Sequence, residues 1–304
     1  MKNFLSILGF VLIGMILLDS CEKEVLVEND LKGVSEIDQI VENEVINNNT
    51  SSLIPAVFYE PIEIAEKYIE VETPKWTLTP HQGIMFLAAK KCGLTDARAN
   101  KMKEWAAYPD EIDKEALIPI LNTTWKHGYA YYKLINTWYW IYGTADAMCQ
   151  ANINGSGYLS KSAFYYYPAD KNNGDKYLGY AGHYMVDMGN AWHTHGIISQ
   201  TDHANYENWI LNNWTTGHNF YNYLSTSEPT YYTVTDPKAT VRNIAYYSAI
   251  SADELVNAYV ASGRPTGVNG GNAYLISKTK ENLLRSYKYL KGLIRYTLDT
   301  ESAW

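Results

Sequence analysis

From Trp76 to Trp304 the apolar side chains return every three or four positions, and that period limits the fold more than any other feature of the chain. Along 278–297, Leu283, Leu284, Tyr287, Leu290, Leu293 and Ile294 fall on one stripe of a helix with 3.6 residues per turn, the pattern of a helix facing a core. The same period runs through 82–91, 97–107, 125–141, 182–192, 205–213, 241–247 and 252–261. Period-two alternation is nearly absent apart from Tyr231-Tyr232-Thr233-Val234. The pattern predicts an all-α fold: one multi-helix domain over 76–304 with long loops and no internal repeat, within the size of a single domain.

Composition narrows the chemistry. With 46% hydrophobic and 19% charged residues the chain can bury a large core. Its three cysteines, Cys21, Cys92 and Cys149, exclude a disulfide-dense scaffold and a cysteine-ligated zinc module, so a metal site has to be built from His and carboxylates. Cys92 and Cys149 either pair or stay as two buried thiols. The formal net charge of −8 argues against broad nucleic-acid binding. It is also uneven: residues 22–75 hold 4 basic and 13 acidic side chains, and residues 76–304 hold 20 basic and 19 acidic. A nearly neutral body therefore carries an acidic front piece.

At the start, Lys2 precedes an apolar run over 4–18, shorter than a spanning helix requires and in keeping with a secretory signal. Leu18-Asp19-Ser20-Cys21 resembles the lipobox of bacterial lipoproteins, although Asp19 stands where small residues are usual. The resemblance implies a signal segment over 1–21, a lipid on Cys21, and residence in the bacterial cell envelope, anchored at the outer membrane or cell surface; plain secretion is the alternative. Residues 22–54 are too polar to order themselves and read as a tether. Residues 55–75 add Pro55, Pro61 and Pro74 around a short amphipathic piece, 62–69.

Seven histidines remain to be placed. His183 and Asp187 stand four residues apart, as do His203 and Glu207, so each pair shares one helix face and can reach one cation; His193 lies between the pairs. Neutral imidazole nitrogen with anionic oxygen suits zinc. A single such pair is often just a surface contact, but two pairs twenty residues apart are a stronger signal. His195 and His218 fit no such spacing and read as hydrogen-bonded or surface residues. The run 267–272, Gly-Val-Asn-Gly-Gly-Asn, has no strand before it and reads as a turn, not as a phosphate cradle. The aromatic clusters at Tyr129, Tyr131 and Tyr132, at Trp138-Tyr139-Trp140 and at Tyr165-Tyr166-Tyr167 read as packing, with a cage for a choline headgroup as their other use.

The order His183, Asp187, His193, His203, Glu207 resembles the motif of the zinc-dependent bacterial phospholipases C: His, three residues, Asp, five residues, His, a loop, then His, three residues, Glu. The loop between His193 and His203 is shorter than in those lipases. Thr79-Pro80-His81 resembles the family's first His, and Ala107-Tyr108-Pro109-Asp110 with Asp113-Lys114 resembles the loop carrying its catalytic Asp. His127, the histidine left between these blocks, takes the next ligand position. The resemblance covers about 76–215.

What it implies is a trinuclear zinc site. Asp110, His127, His183 and Asp187 would hold one zinc. His81, Asp187 and Trp76 would hold a second, with Asp187 bridging, and His193, His203 and Glu207 the third. Asp110 would be the general base or water-orienting ligand of a phosphodiester hydrolase that splits phospholipid into diacylglycerol and a phosphorylated headgroup. Trp76 would serve through a free α-amine, because a peptide nitrogen has given its lone pair to carbonyl resonance. That requires a cut between Lys75 and Trp76, which would also release the body from the lipid. Related single-strand-specific zinc nucleases share such a site, and the five-residue step from Trp76 to His81 resembles theirs. An inactive lipid-anchored surface binding protein is the third expectation. The near-neutral body favours phospholipid or a small phosphodiester over any stable nucleic-acid partner.

Overall fold

The structure, a computed structural model, describes residues 79–110, 124–134, 137–155, 162–195, 200–227 and 230–301. The expected signal segment over 1–21 with Cys21, the expected tether, the 62–69 piece, the Lys75-Trp76 step and Asp113-Lys114 lie outside them. In chain order the helices are α1 (Thr79–Lys91), α2 (Asp96–Trp105), α3 (Thr124–His127), α4 (Ala145–Asn154), α5 (Ala163–Tyr166), α6 (Lys171–Asp187), α7 (Ala191–Thr194), α8 (Gln200–Asn212), α9 (Phe220–Ser225), α10 (Pro237–Ile250), α11 (Ala252–Ala261) and α12 (Ala273–Glu301). Between α3 and α4 lies one antiparallel hairpin, β1 (Tyr129–Leu134) with β2 (Thr137–Gly143). The fold is mostly helical, as the periodicity predicts. Among the described residues no helix is long and apolar enough to cross a membrane.

Helix ends follow their sequences. Thr95 caps α2 by accepting from the Arg98 N–H, and Asp170 caps α6 by accepting from Asn172 and Asn173 at 3.1 Å each. Asp236 does the same for α10, where Pro237 occupies the first turn. Lys90 and Lys91 close α1, favourable at the negative end of its dipole.

Among the described residues helix α6 is the element around which the others pack. From Leu178 to Asp187 every residue is buried, because α2, α4, α5 and α12 pack around it. Helix α12 lies across α6 and α1 and buries Leu283, Tyr287, Leu290, Leu293 and Ile294, while Leu284 is half-buried. Gly292 lets the segment around Tyr232 lie flat on α12: a methyl there would run into the Tyr232 carbonyl oxygen, which no rotamer change can relieve. Gly292→Ala is expected to destabilise the protein by about 2 kcal/mol, overpacking outweighing the better helix propensity of Ala. Urea unfolding checks this, and unchanged stability would contradict the packing.

Three local expectations are corrected. The stretch 182–192 is not one helix: α6 ends at Asp187 and α7 begins at Ala191 after a turn. The stretch 125–141 is not one helix: a single turn, α3, ends at His127 and the chain becomes the hairpin, with a bulge between Ala130 and Tyr131. Tyr129, Ala130 and Tyr131 are all buried, so both strand faces are apolar there and the period-two signal vanishes. The aromatic content that suits strands decides the outcome. Conversely, Tyr231–Val234 forms no strand; it packs on α12, with Tyr232 and Val234 buried.

Candidate metal centre

Two consecutive turns of α6 supply the middle of the site. His183 and Asp187 sit one turn apart on one face, 0% and 1% exposed. The first turn of α1 brings His81 to them, the end of α3 brings His127, and the segment after α2 brings Asp110. Asp187 divides its two oxygens: Oδ1 lies 2.9 Å from His81 Nε2, whereas Oδ2 lies 2.9 Å from His127 Nδ1 and 3.2 Å from His183 Nε2. Asp110 Oδ1 stands 3.3 Å from His183 Nε2 and 3.6 Å from His127 Nδ1. On the other side of the turn after α6, α7 carries His193 and α8 carries His203 and Glu207. Both ring nitrogens point at Glu207 Oε1, at 3.2 and 2.7 Å.

Three groups result: His81, His183 and Asp187; Asp110, His127 and His183; and His193, His203 and Glu207. Within each, the donor atoms all lie within 4.8 Å of one another, and each group could hold a metal ion. The spacing fits. Ligands about 2.0–2.1 Å from a tetrahedral zinc stand roughly 3.3 Å from one another, close to the separations seen. His183 belongs to two groups, not one, because its Nε2 lies between them.

The electrostatics call for positive charge. Asp110, Asp187 and Glu207 are buried carboxylates, costly unless compensated. Burial pushes each carboxyl up, but the surrounding imidazoles more than offset it. His183 does most for Asp110, and His183, His193 and His81 hold Asp187 well below the usual carboxylate range. His203 and His193 lower Glu207. Burial opposes protonation of His183, yet Asp187 and Asp110 raise it well above its ordinary value. His81 goes the other way, lowered by burial and then by the charge of His183. The Ala106 carbonyl, 2.7 Å from His183 Nδ1, accepts the proton there and aims Nε2 into the cluster.

Trp76 lies outside the described residues. His195 and His218 stand apart from the groups: His195 faces Asp253 at 3.8 Å, and His218 Nε2 donates to the Gly270 carbonyl at 2.7 Å. The 267–272 run is a turn held by Asn213, whose Nδ2 donates to the Gly267 carbonyl and whose Oδ1 accepts from the Asn269 N–H. Tyr129, Tyr131 and Tyr167 are buried packing residues, while Tyr165 and Tyr139 are exposed. Cys92 and Cys149 are free thiols, Cys149 fully buried. Spacing alone does not reveal the Ala106 carbonyl or Asn190, whose amide donates to Glu207 Oε1 at 2.9 Å. The available signal for Asn190 is its place directly before a helical turn.

No family model and no curated protein sequence matches the chain. Among solved structures it is similar to the alpha-toxin of Clostridium perfringens from an avian strain, with a TM-score of 0.41 and 14% identity over 75% of this chain and 64% of that one. The chain thus spans less than two thirds of that protein's length, and a likeness this distant bears on neither family nor activity.

Proposed function

We propose that this chain is a zinc-dependent phosphodiester hydrolase of the phospholipase C type, binding three zinc ions and releasing a phosphorylated headgroup from phospholipid. The observation that carries this reading is the placement of one buried carboxylate, Asp187, between two donor groups, with Oδ1 facing His81 of the first and Oδ2 facing His127 of the second. A carboxylate placed between two groups suits a closely spaced pair of cations, the arrangement that can grip both the attacking and the leaving oxygen of a phosphoryl displacement. Zinc ions in the three groups would polarise the phosphoryl oxygens and lower the pKa of water toward neutrality.

The side chains have separable tasks. Asp187 and Glu207, with side chains 2% and 4% exposed, hold the centre. The Asp110 side chain is 12% exposed, the most accessible of the three carboxylates. That exposure lets its carboxylate oxygens accept a hydrogen bond from an approaching water and orient it toward the phosphorus. In this reading the substrate comes from a membrane to which Cys21 anchors the chain at the cell envelope, and a cut at Lys75-Trp76 frees the body and gives the second group an amine ligand.

The test compares phosphatidylcholine vesicles with single-stranded DNA. Purified protein is expected to release phosphorylated headgroup, to stop on chelation and to spare the DNA. Strong DNA cleavage without headgroup release would reverse the order in favour of a nuclease. A zinc-loaded protein that hydrolyses neither would leave the inactive surface binder.

A further inference from the structure

The geometry points to Asn190 as the residue that positions Glu207 and thereby builds the third donor group, an assignment that rests on that group holding zinc. Asn190 is 3% exposed and sits in the turn joining α6 to α7. Its backbone N–H donates to the Asp187 carbonyl at 2.9 Å, and its own carbonyl accepts from the His193 N–H at 3.0 Å. Its side-chain Oδ1 accepts from the Trp192 N–H at 3.1 Å, capping α7, and its Nδ2 donates to Glu207 Oε1 at 2.9 Å. The amide orientation is fixed by its neighbours, since a backbone donor faces one end and a carboxylate the other. One residue therefore ties the shared carboxylate of α6, the His193 turn and the α8 carboxylate into a single unit.

Its role differs from that of the two imidazoles on the same oxygen. His193 and His203 can donate to Glu207 only through protonated nitrogens, and those nitrogens must be lone pairs when they ligate. The Asn190 amide has no lone pair to offer a cation at Nδ2, so it remains a donor to Glu207 in either state. It keeps the Glu207 carboxylate aimed at the group whether or not the imidazoles carry protons. Outer partners of this kind typically govern metal affinity by about 10- to 100-fold.

Asn190→Ser keeps a hydroxyl able to cap α7 but cannot span to Glu207; Asn190→Ala loses both contacts. The experiment titrates zinc alone into metal-free full-length protein against a competing chelator dye and records metal-free melting temperatures. Both variants are expected to bind two zinc ions as tightly as wild type and the third about 10- to 100-fold more weakly. Both should lower the metal-free melting temperature through the lost bond to buried Glu207, Asn190→Ala more than Asn190→Ser because it also loses the α7 cap. A third zinc bound by Asn190→Ser as tightly as by wild type would overturn the positioning role while leaving the metal centre standing. A wild-type protein that takes up no third zinc would overturn both.

Discussion

Asp187→Asn is expected to empty two of the three donor groups and to lower phosphodiester turnover by roughly 1,000-fold or more, while the third group stays loaded. The replacement is nearly isosteric, so the core around α6 should not collapse. What changes is the chemistry of the two oxygens. One presently lies 2.9 Å from His81 Nε2 and the other 2.9 Å from His127 Nδ1 and 3.2 Å from His183 Nε2. An amide presents one oxygen without a full charge and one NH₂ that cannot ligate, so it serves at most one side. Losing the charge compensation between two closely spaced cations costs several kcal/mol of the barrier, and each 1.36 kcal/mol is a factor of ten. Glu207→Gln is the control, since it should cost the third ion alone. Elemental analysis of both variants beside their turnover numbers checks this, and an Asp187→Asn protein with its full metal complement would show that the carboxylate is not shared.

Removing metal should have a large effect on stability, with a defined pH dependence. An ion present at 1,000 times its dissociation constant stabilises the fold by about 4 kcal/mol, so chelation should lower the melting temperature by roughly 10 °C or more. In metal-free protein the His183 pKa is raised, so its stabilising contribution is complete below about pH 6.5 and is lost as pH rises through the raised folded value. The contributions of Asp110, Asp187 and Glu207, whose pKa values are lowered, are present above about pH 4–4.5 and vanish as pH falls through their folded values. A zinc ion must displace the His183 proton, whereas His81, with its lowered pKa, gives it little competition. The gap in melting temperature between loaded and chelated protein should therefore widen from pH 6 to pH 8. Calorimetry across that range tests it, and a gap independent of pH would mean that His183 is not a ligand.

How much of this is legible in the sequence depends on how local the determinant is. The 252–261 helix is read to the residue, and the stripe from Leu283 to Ile294 lies on one long helix, because both follow from a single period. The pairing of His183 with Asp187 and of His203 with Glu207 is equally local, one helical turn each. Motif resemblance supplies the long-range part, bringing His81, Asp110 and His127 to the same two turns of α6. The hairpin after His127 escapes because burial on both faces of β1 removes the alternation that marks a half-exposed strand. The Ala106 carbonyl and the Asn190 amide escape for another reason: their partners lie 77 and 17 residues away, and neither residue type announces a role in ligand orientation.

The most direct test of the account is the metal content of the purified full-length protein, measured by native mass spectrometry at neutral pH alongside elemental analysis. The account predicts close to three zinc ions per chain, lost together with hydrolysis of phospholipid on chelation and regained with it on adding zinc back. A folded protein that carries no zinc, or a single ion, and hydrolyses phosphodiesters all the same would contradict it.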